Sequence, residues 1–213
     1  MANSRAMSEA DAKRLLGEFG LRVSRETVVS DQAKAVEAAE DIGYPVVLKL
    51  CGDEILHKTE MNAVRLGLTN PDSVVEAADE LLGQGPPGSQ LLVAEQISGT
   101  RELIAGVTHD PQFGPALMFG VGGIFAEVLG DVVFRLLPAD RSDIQAMLTD
   151  LDRPEVLAEF RGEPAVDQEA LTTALVAIAE CALANDDIES IDVNPMIVCD
   201  GEPVAVDALV VTR

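Results

Sequence analysis

The dipeptide Asp200-Gly201 separates two mostly apolar runs, Ile191-Asp192-Val193-Asn194-Pro195 and Val204-Ala205-Val206-Asp207-Ala208. Asp-Gly is a strong signal for a two-residue hairpin turn, and such a turn fixes the register of both strands. In that register Asn194 lies directly opposite Asp207, and Asp192, two residues along, shares their face. Two carboxylates and an amide thus converge in strands that are otherwise apolar. Buried carboxylates need compensation, and a hard cation such as Mg²⁺ supplies it through oxygen ligands. The competing reading is a polar stripe facing solvent on an edge hairpin. Pro195 and Pro203 are the residues able to force a bulge and shift the register.

The rest of the chain mixes helical and strand patterns. Ser8, with Asp11 three residues on, caps a helix carrying Ala12, Leu15, Leu16 and Phe19 and ending at Gly20. Asp31 caps a second helix, with Ala35, Ala38, Ala39 and Ile42 on one face, and Asn70-Pro71 opens a third. Further helices are expected at 141–151, 154–161 and 168–184. Strands are expected at 26–29, 44–50, 64–68, 90–97, 102–108, 116–120, 132–137, 188–198 and 204–211. Helices and strands do not alternate strictly, so the class is α+β (mixed α/β) rather than doubly wound. The Gly/Pro-rich stretch 84–89 reads as a linker. The expected division is 1–22 as a lead and helix, 23–89 as a smaller lobe and 90–213 as a larger one.

Composition removes several function classes. The 213 residues include 15 basic and 37 acidic side chains, for a formal net charge of −22. Phosphate-backbone binding rests on Lys and Arg, so no nucleic acid partner is expected. With 47% hydrophobic residues the chain folds despite its charge. Cys51, Cys181 and Cys199 are odd in number and widely spaced, which fits neither a disulfide framework nor a zinc site. Three scattered thiols fit a reducing cytoplasm. No run is long and apolar enough for a membrane span, and no membrane association is expected.

Three further features carry possible chemistry. Lys49 sits within Val46-Val47-Leu48-Lys49-Leu50. A lysine in an apolar strand either meets a ligand anion, pairs, or snorkels to solvent from an edge. His57 lies in the polar stretch Glu54-Ile55-Leu56-His57-Lys58-Thr59-Glu60. Imidazole is a competent nucleophile toward phosphorus, although a lone loop histidine is more often only a surface residue. Gly120-Val121-Gly122-Gly123-Ile124 follows an apolar strand and offers backbone N–H groups to an anion, or merely turns the chain.

Taken in order, Gly43-Tyr44-Pro45-Val46-Val47-Leu48-Lys49, Ile55 to Glu60, Asp110-Pro111-Gln112-Phe113-Gly114-Pro115, Met118 to Phe125, Phe134-Arg135, Phe160-Arg161-Gly162, Asp192-Val193-Asn194-Pro195 and Val206-Asp207-Ala208 form a pattern. The chain resembles the ATP-grasp domain of NDP-forming acyl-CoA synthetases, in particular the β subunit of ADP-forming acetate–CoA ligase, a relative of the succinyl-CoA synthetase β chain. The resemblance runs from Ala10 to Val211.

That resemblance implies a two-lobed ATP-grasp fold and a ligase forming acid–thiol bonds, with ATP/ADP and Mg²⁺ as cofactors. It implies that Lys49 contacts the nucleotide, that Glu95, Gln96 and Ile97 form a hinge around adenine, and that Glu102 lies near the ribose. Lys58 flanks the phosphohistidine, and Arg135 is a candidate for steadying phosphate. Asn194 and Asp207 would hold Mg²⁺, with Asp192 beside the metal and the transferred phosphoryl group. His57 would be a phosphohistidine carrying phosphate between a partner and the nucleotide. The implied partner is a CoA-binding α subunit or fused domain, in a hetero-oligomer. The sequence departs from the family at Asn62-Ala63, where two glycines are usual, and at Cys51-Gly52, where serine-proline is common. The alternatives are another ATP-grasp carboxylate ligase working without phosphohistidine, and a non-catalytic nucleotide-sensing or assembly module.

Overall fold

The computed structural model describes residues 4–51, 63–123, 130–160 and 162–213. They form two compact units, one made of residues 24–96 and the other of 1–23 with 97–213. Helices and strands are mixed in each, as the patterning requires.

The 24–96 unit is an antiparallel sheet of β2 (Glu26–Val29), β3 (Val46–Cys51), β4 (Val64–Leu68) and β5 (Gln90–Glu95) in the order β2-β5-β3-β4. Helices α2 (Gln32–Ile42) and α3 (Pro71–Gln84) supply its core. Ala35, Ala39, Val74, Ala78 and Leu81 meet Val46, Leu48, Leu50, Leu91 and Val93. The caps are those the sequence signals: Asp31 accepts from the Lys34 N–H, and Asn70 and Ser73 form a reciprocal capping box.

The other unit is built on a seven-stranded sheet. Its main path is β1 (Arg5–Ala6), β11 (Ala208–Thr212), β9 (Ile188–Cys199), β6 (Glu102–Asp110), β7 (Gly114–Val121) and β8 (Val132–Leu136). The short β10 (Glu202–Ala205) also pairs with β9. Helices α1 (Glu9–Glu18), α4 (Arg141–Asp150) and α5 (Gln168–Ala184) contribute to its core. Residues on three sides of α5 are buried, including Leu171, Leu175, Ile178 and Cys181, so this alanine-rich helix is central rather than a surface amphipath. Burial pushes the Cys181 thiol up to about 11, which leaves it inert. No helix among the described residues is long and apolar enough to cross a membrane.

The hairpin register follows from its turn. Asp200 and Gly201 have φ of 51° and 87°, the doubly left-handed backbone that a two-residue hairpin turn uses. Glu202 pairs with Cys199, Ala205 with Met196, Ala208 with Val193 and Leu209 with Asp192, all in the register set at the turn. Where one continuous strand was expected, β10 stops at Ala205 and β11 starts at Ala208. The register survives that gap, because the Val206 N–H donates to the Pro195 carbonyl at 3.2 Å and the Asn194 N–H to the Asp207 carbonyl at 3.3 Å.

Other differences from the sequence reading have local causes. The 84–89 stretch is a short turn inside the 24–96 unit. It leads into β5, which is an inner strand of the four-stranded sheet, so the units divide after Gln96 and not after Ser89. The first helix belongs to the other unit, where Ala12 and Leu16 enter the core. The expected 154–161 helix is only a 3₁₀ turn, Pro154–Leu157. Half-buried Arg101 donates to the Val156 and Ala158 carbonyls at 3.4 and 3.0 Å, and these acceptors are then engaged outside any continuing helix.

Gly106 on β6 packs directly against β9. A Cβ there would stand 2.2 Å from the Ile191 carbonyl oxygen, a backbone atom that cannot step aside. Gly106→Ala is therefore expected to destabilise the chain by about 1–3 kcal/mol, read as a lower midpoint in urea unfolding.

Candidate functional site

In the 24–96 unit, the side chains of β3 alternate between its faces. Val46, Leu48 and Leu50 enter the core, and Val47, Lys49 and Cys51 take the opposite side. β3 is an inner strand, with Lys49 paired to Leu92 on β5 and to Val64 on β4. Lys49 is only 8% exposed, which removes the solvent-edge reading of this cation. At the end of β5, the Glu95 carboxylate holds the Arg25 guanidinium at 3.2 Å. The Gln96 N–H donates to the Pro45 carbonyl at 3.2 Å, and its Oε1 accepts from the Gly67 N–H at 2.6 Å. Glu95 and Gln96 are thus fixed at the last residues of this unit, and half-buried Ile97 begins the next.

His57 and Lys58 lie outside the described residues, as does Asn62. Ala63 is described, and its methyl group is buried in the core of the 24–96 unit while its carbonyl accepts from the Leu50 N–H at 2.9 Å. At this family position the alanine does structural work.

In the other unit, β9 presents Ile191, Val193, Met196 and Val198 to the core. Asp192 and Asn194 alternate with them and face outward, and Asp207 lies opposite Asn194, half-buried. Asp192, Asn194 and Asp207 therefore come together. Although Asp192 as a residue reaches solvent, protein atoms crowd its carboxyl. Burial pushes it above the ordinary carboxylate range, and the negative charge of Asp207 adds to the effect.

Glu102 sits at the start of β6. Its carbonyl accepts from the Gly122 N–H at 2.7 Å, and its carboxylate lies against Gly123 in the glycine-rich turn. Arg135 is placed elsewhere. It pairs across β7 with core residue Leu117, on the side opposite Phe134, and holds Asp150 of α4 at 2.6 Å. The structure does not bring it to the Asp192 face.

One pair escaped the sequence reading. Lys13 is fully buried on α1, with its Nζ 3.0 Å from Glu9 Oε1 and 3.2 Å from the Val206 carbonyl. The available signal was that Glu9, Lys13 and Leu16 share one helical arc. That arc is the buried one.

The donor set suits a hard divalent cation. An amide oxygen and two carboxylates are hard ligands, and a cation would offset both the burial and the Asp207 repulsion that raise Asp192. Among the described residues no group of three or more His, Cys, Asp or Glu is placed to hold a metal. An ion here would keep water or phosphate ligands, as Mg²⁺ commonly does.

Comparison with known proteins places these features in a lineage. The ATP-grasp domain model matches residues 1–212. The β subunit of ADP-forming acetate–CoA ligase I from Pyrococcus furiosus is 36% identical over 213 residues, spanning 97% of this chain and 92% of its own. The solved Ca. Korarchaeum cryptofilum dinucleotide-forming acetyl-coenzyme A synthetase 1, in complex with coenzyme A, Ca-AMPCP and HgCl⁺, has a TM-score of 0.92 at 32% identity, covering 98% of this chain and 94% of that one. The same synthetase with coenzyme A and Mg-AMPPCP, its phosphohistidine segment pointing towards the nucleotide-binding site, has a TM-score of 0.87 at 32% identity, covering 98% and 93%. With both the sequence and the two-unit architecture following that pattern from end to end, this chain belongs to the ATP-grasp domain family.

Proposed function

We propose that this chain is the nucleotide-binding, β-type subunit of an NDP-forming acyl-CoA synthetase. The observation that carries the reading is the meeting of Asp192, Asn194 and Asp207 on β9 and the β10–β11 junction. The overall reaction converts acyl-CoA, ADP and phosphate to carboxylic acid, CoA and ATP, reversibly. A CoA-binding α partner or fused domain supplies the acyl half, and the working enzyme is a hetero-oligomer in the cytoplasm.

Asn194 and Asp207 hold Mg²⁺, which neutralises charge on the phosphate oxygens when bound. Lys49 adds a cation whose burial keeps water from screening it. Glu95, Gln96 and Ile97 hold the adenine, and Glu102 the ribose. His57, flanked by Lys58, carries the phosphoryl group. In the ATP-forming direction its N–P bond breaks as a terminal ADP oxygen bonds to phosphorus, leaving free imidazole. Asp192 stands next to the transferred group. Arg135, tied to Asp150 on the other side of the sheet, has no part in this scheme.

Three outcomes are expected. In calorimetric titrations, Mg²⁺ tightens ADP and ATP binding to the wild-type chain. Asp207→Ala loses about tenfold or more of that tightening and keeps metal-free binding.

Incubation with γ-labelled ATP and Mg²⁺ puts an acid-labile, base-stable label on the protein, and His57→Ala removes it. Persistence of the label in that variant would exclude the phosphohistidine relay and favour a ligase without one.

The third concerns pH. Asp192 holds a proton in the folded chain up to a higher pH than when unfolded, so its ionisation costs stability as pH rises through that window. Asp192→Asn should therefore raise the Tm of the metal-free protein at pH 7. The gain should shrink as pH falls towards the ordinary carboxylate range, about 4.

A further inference from the structure

Lys13 and Glu9 make a salt bridge inside the 1–23/97–213 unit, with Lys13 0% and Glu9 5% exposed. A buried ion pair is a poor way to gain stability. Its desolvation cost cancels most of the attraction, and apolar side chains of similar size often serve as well. What an apolar pair does not supply is a donor, and Lys13 donates to the Val206 carbonyl at 3.2 Å.

The position of that carbonyl gives the contact its meaning. Val206 and Asp207 are the two residues between β10 and β11. The Val206 carbonyl belongs to the same planar peptide group as the Asp207 N–H, so holding this oxygen holds the plane from which the Asp207 side chain departs. The flanking ladder bonds, Val206 N–H to Pro195 and Asn194 N–H to the Asp207 carbonyl, tie the gap to β9. The ammonium of Lys13 is a third anchor, brought in from α1.

We propose that Lys13, oriented by Glu9, is a positioning residue for the metal pair Asn194–Asp207: it locks the Val206–Asp207 peptide so that both side chains meet one divalent cation. The inference rests on the metal reading given above. It assigns the first helix of the chain a part in nucleotide chemistry, although neither Glu9 nor Lys13 touches the metal.

The test uses the full chain with Mn²⁺ as the probe, titrated by water-proton relaxation, alongside metal-free ADP titration and thermal unfolding. The variant is Glu9→Gln/Lys13→Met, which removes both charges and leaves no carboxylate buried alone. Mn²⁺ affinity is expected to fall about tenfold, with metal-free ADP binding unchanged and Tm near that of wild type. A purely structural role would move Tm and leave Mn²⁺ affinity alone, and wild-type Mn²⁺ affinity in this variant overturns the proposal. Asp207→Ala separates the two levels. If it loses Mn²⁺ and the double variant does not, the positioning role fails and the metal reading stands. If Asp207→Ala binds Mn²⁺ as wild type does, both fall. Should the double variant not fold, Lys13→Arg keeps the charge and moves the donor. The same loss of Mn²⁺ affinity is expected of it, and wild-type affinity there overturns the proposal equally.

Discussion

The placement of Asp192, Asn194 and Asp207 depends on β9 being hydrogen-bonded along both edges, with one register kept from the turn to Val211 on the β10–β11 side. The strand runs twelve residues, pairs with β6 on one side and with β10 and then β11 on the other, and is tied off by the Asp200-Gly201 turn. A slip of one residue would turn Asp192 and Asn194 into the core and Ile191 and Val193 out to solvent. The apolar alternation therefore penalises any register that would scatter the candidate ligands. Core packing and the placement of the candidate ligands are enforced by the same ladder.

The hairpin was legible because its determinants are local: two residues with φ above zero, then alternation from Ile191 that changes phase only between Val193 and Met196. On the β10–β11 side Pro203 and Pro195 leave the register intact, while on the β6 side it shifts by one residue opposite Asn194-Pro195, between Leu103 and Ala105. The Val198 N–H donates to the Arg101 carbonyl on the β6 side, so Pro203, opposite Val198, sits where β10 need not donate to β9. The Asn194–Asp207 pair across the strand break is joined in turn by the Asn194 N–H.

What was not legible depends on contacts distant in sequence. Arg135 looked like a phosphate ligand because it follows Phe134 in a recognisable motif. Its face is set by Leu117 across β7 and its charge by Asp150 on α4, neither of which adjacency reveals. The Gly/Pro-rich stretch at 84–89 looked like a boundary, yet a turn within a unit and a linker between units have the same composition. Only the pairing of β5 with both β2 and β3 decides between them. Glu9 and Lys13, four residues apart on a helix, look like an ordinary surface pair. Their burial depends on how α1 packs.

The charge balance gives weight to the two lysines that are buried among the described residues. A chain of net charge −22 repels a polyanionic nucleotide at long range. Most of the repulsion between solvated charges is screened beyond about 8 Å at physiological salt. Recognition must then come from cations close to the phosphates. Arg14, Arg25, Arg65, Arg101, Arg135 and Arg141 are each committed to an acidic partner within the fold. Lys49 and Lys13 differ in being buried, one in each unit: the first on the side of β3 away from its core, the second behind the Val206–Asp207 peptide. With surface charge set against the ligand, the divalent ion proposed for Asn194 and Asp207 would be the largest local source of positive charge on the larger unit. The Val206 and Asn194 backbone hydrogen bonds then set where those two side chains start.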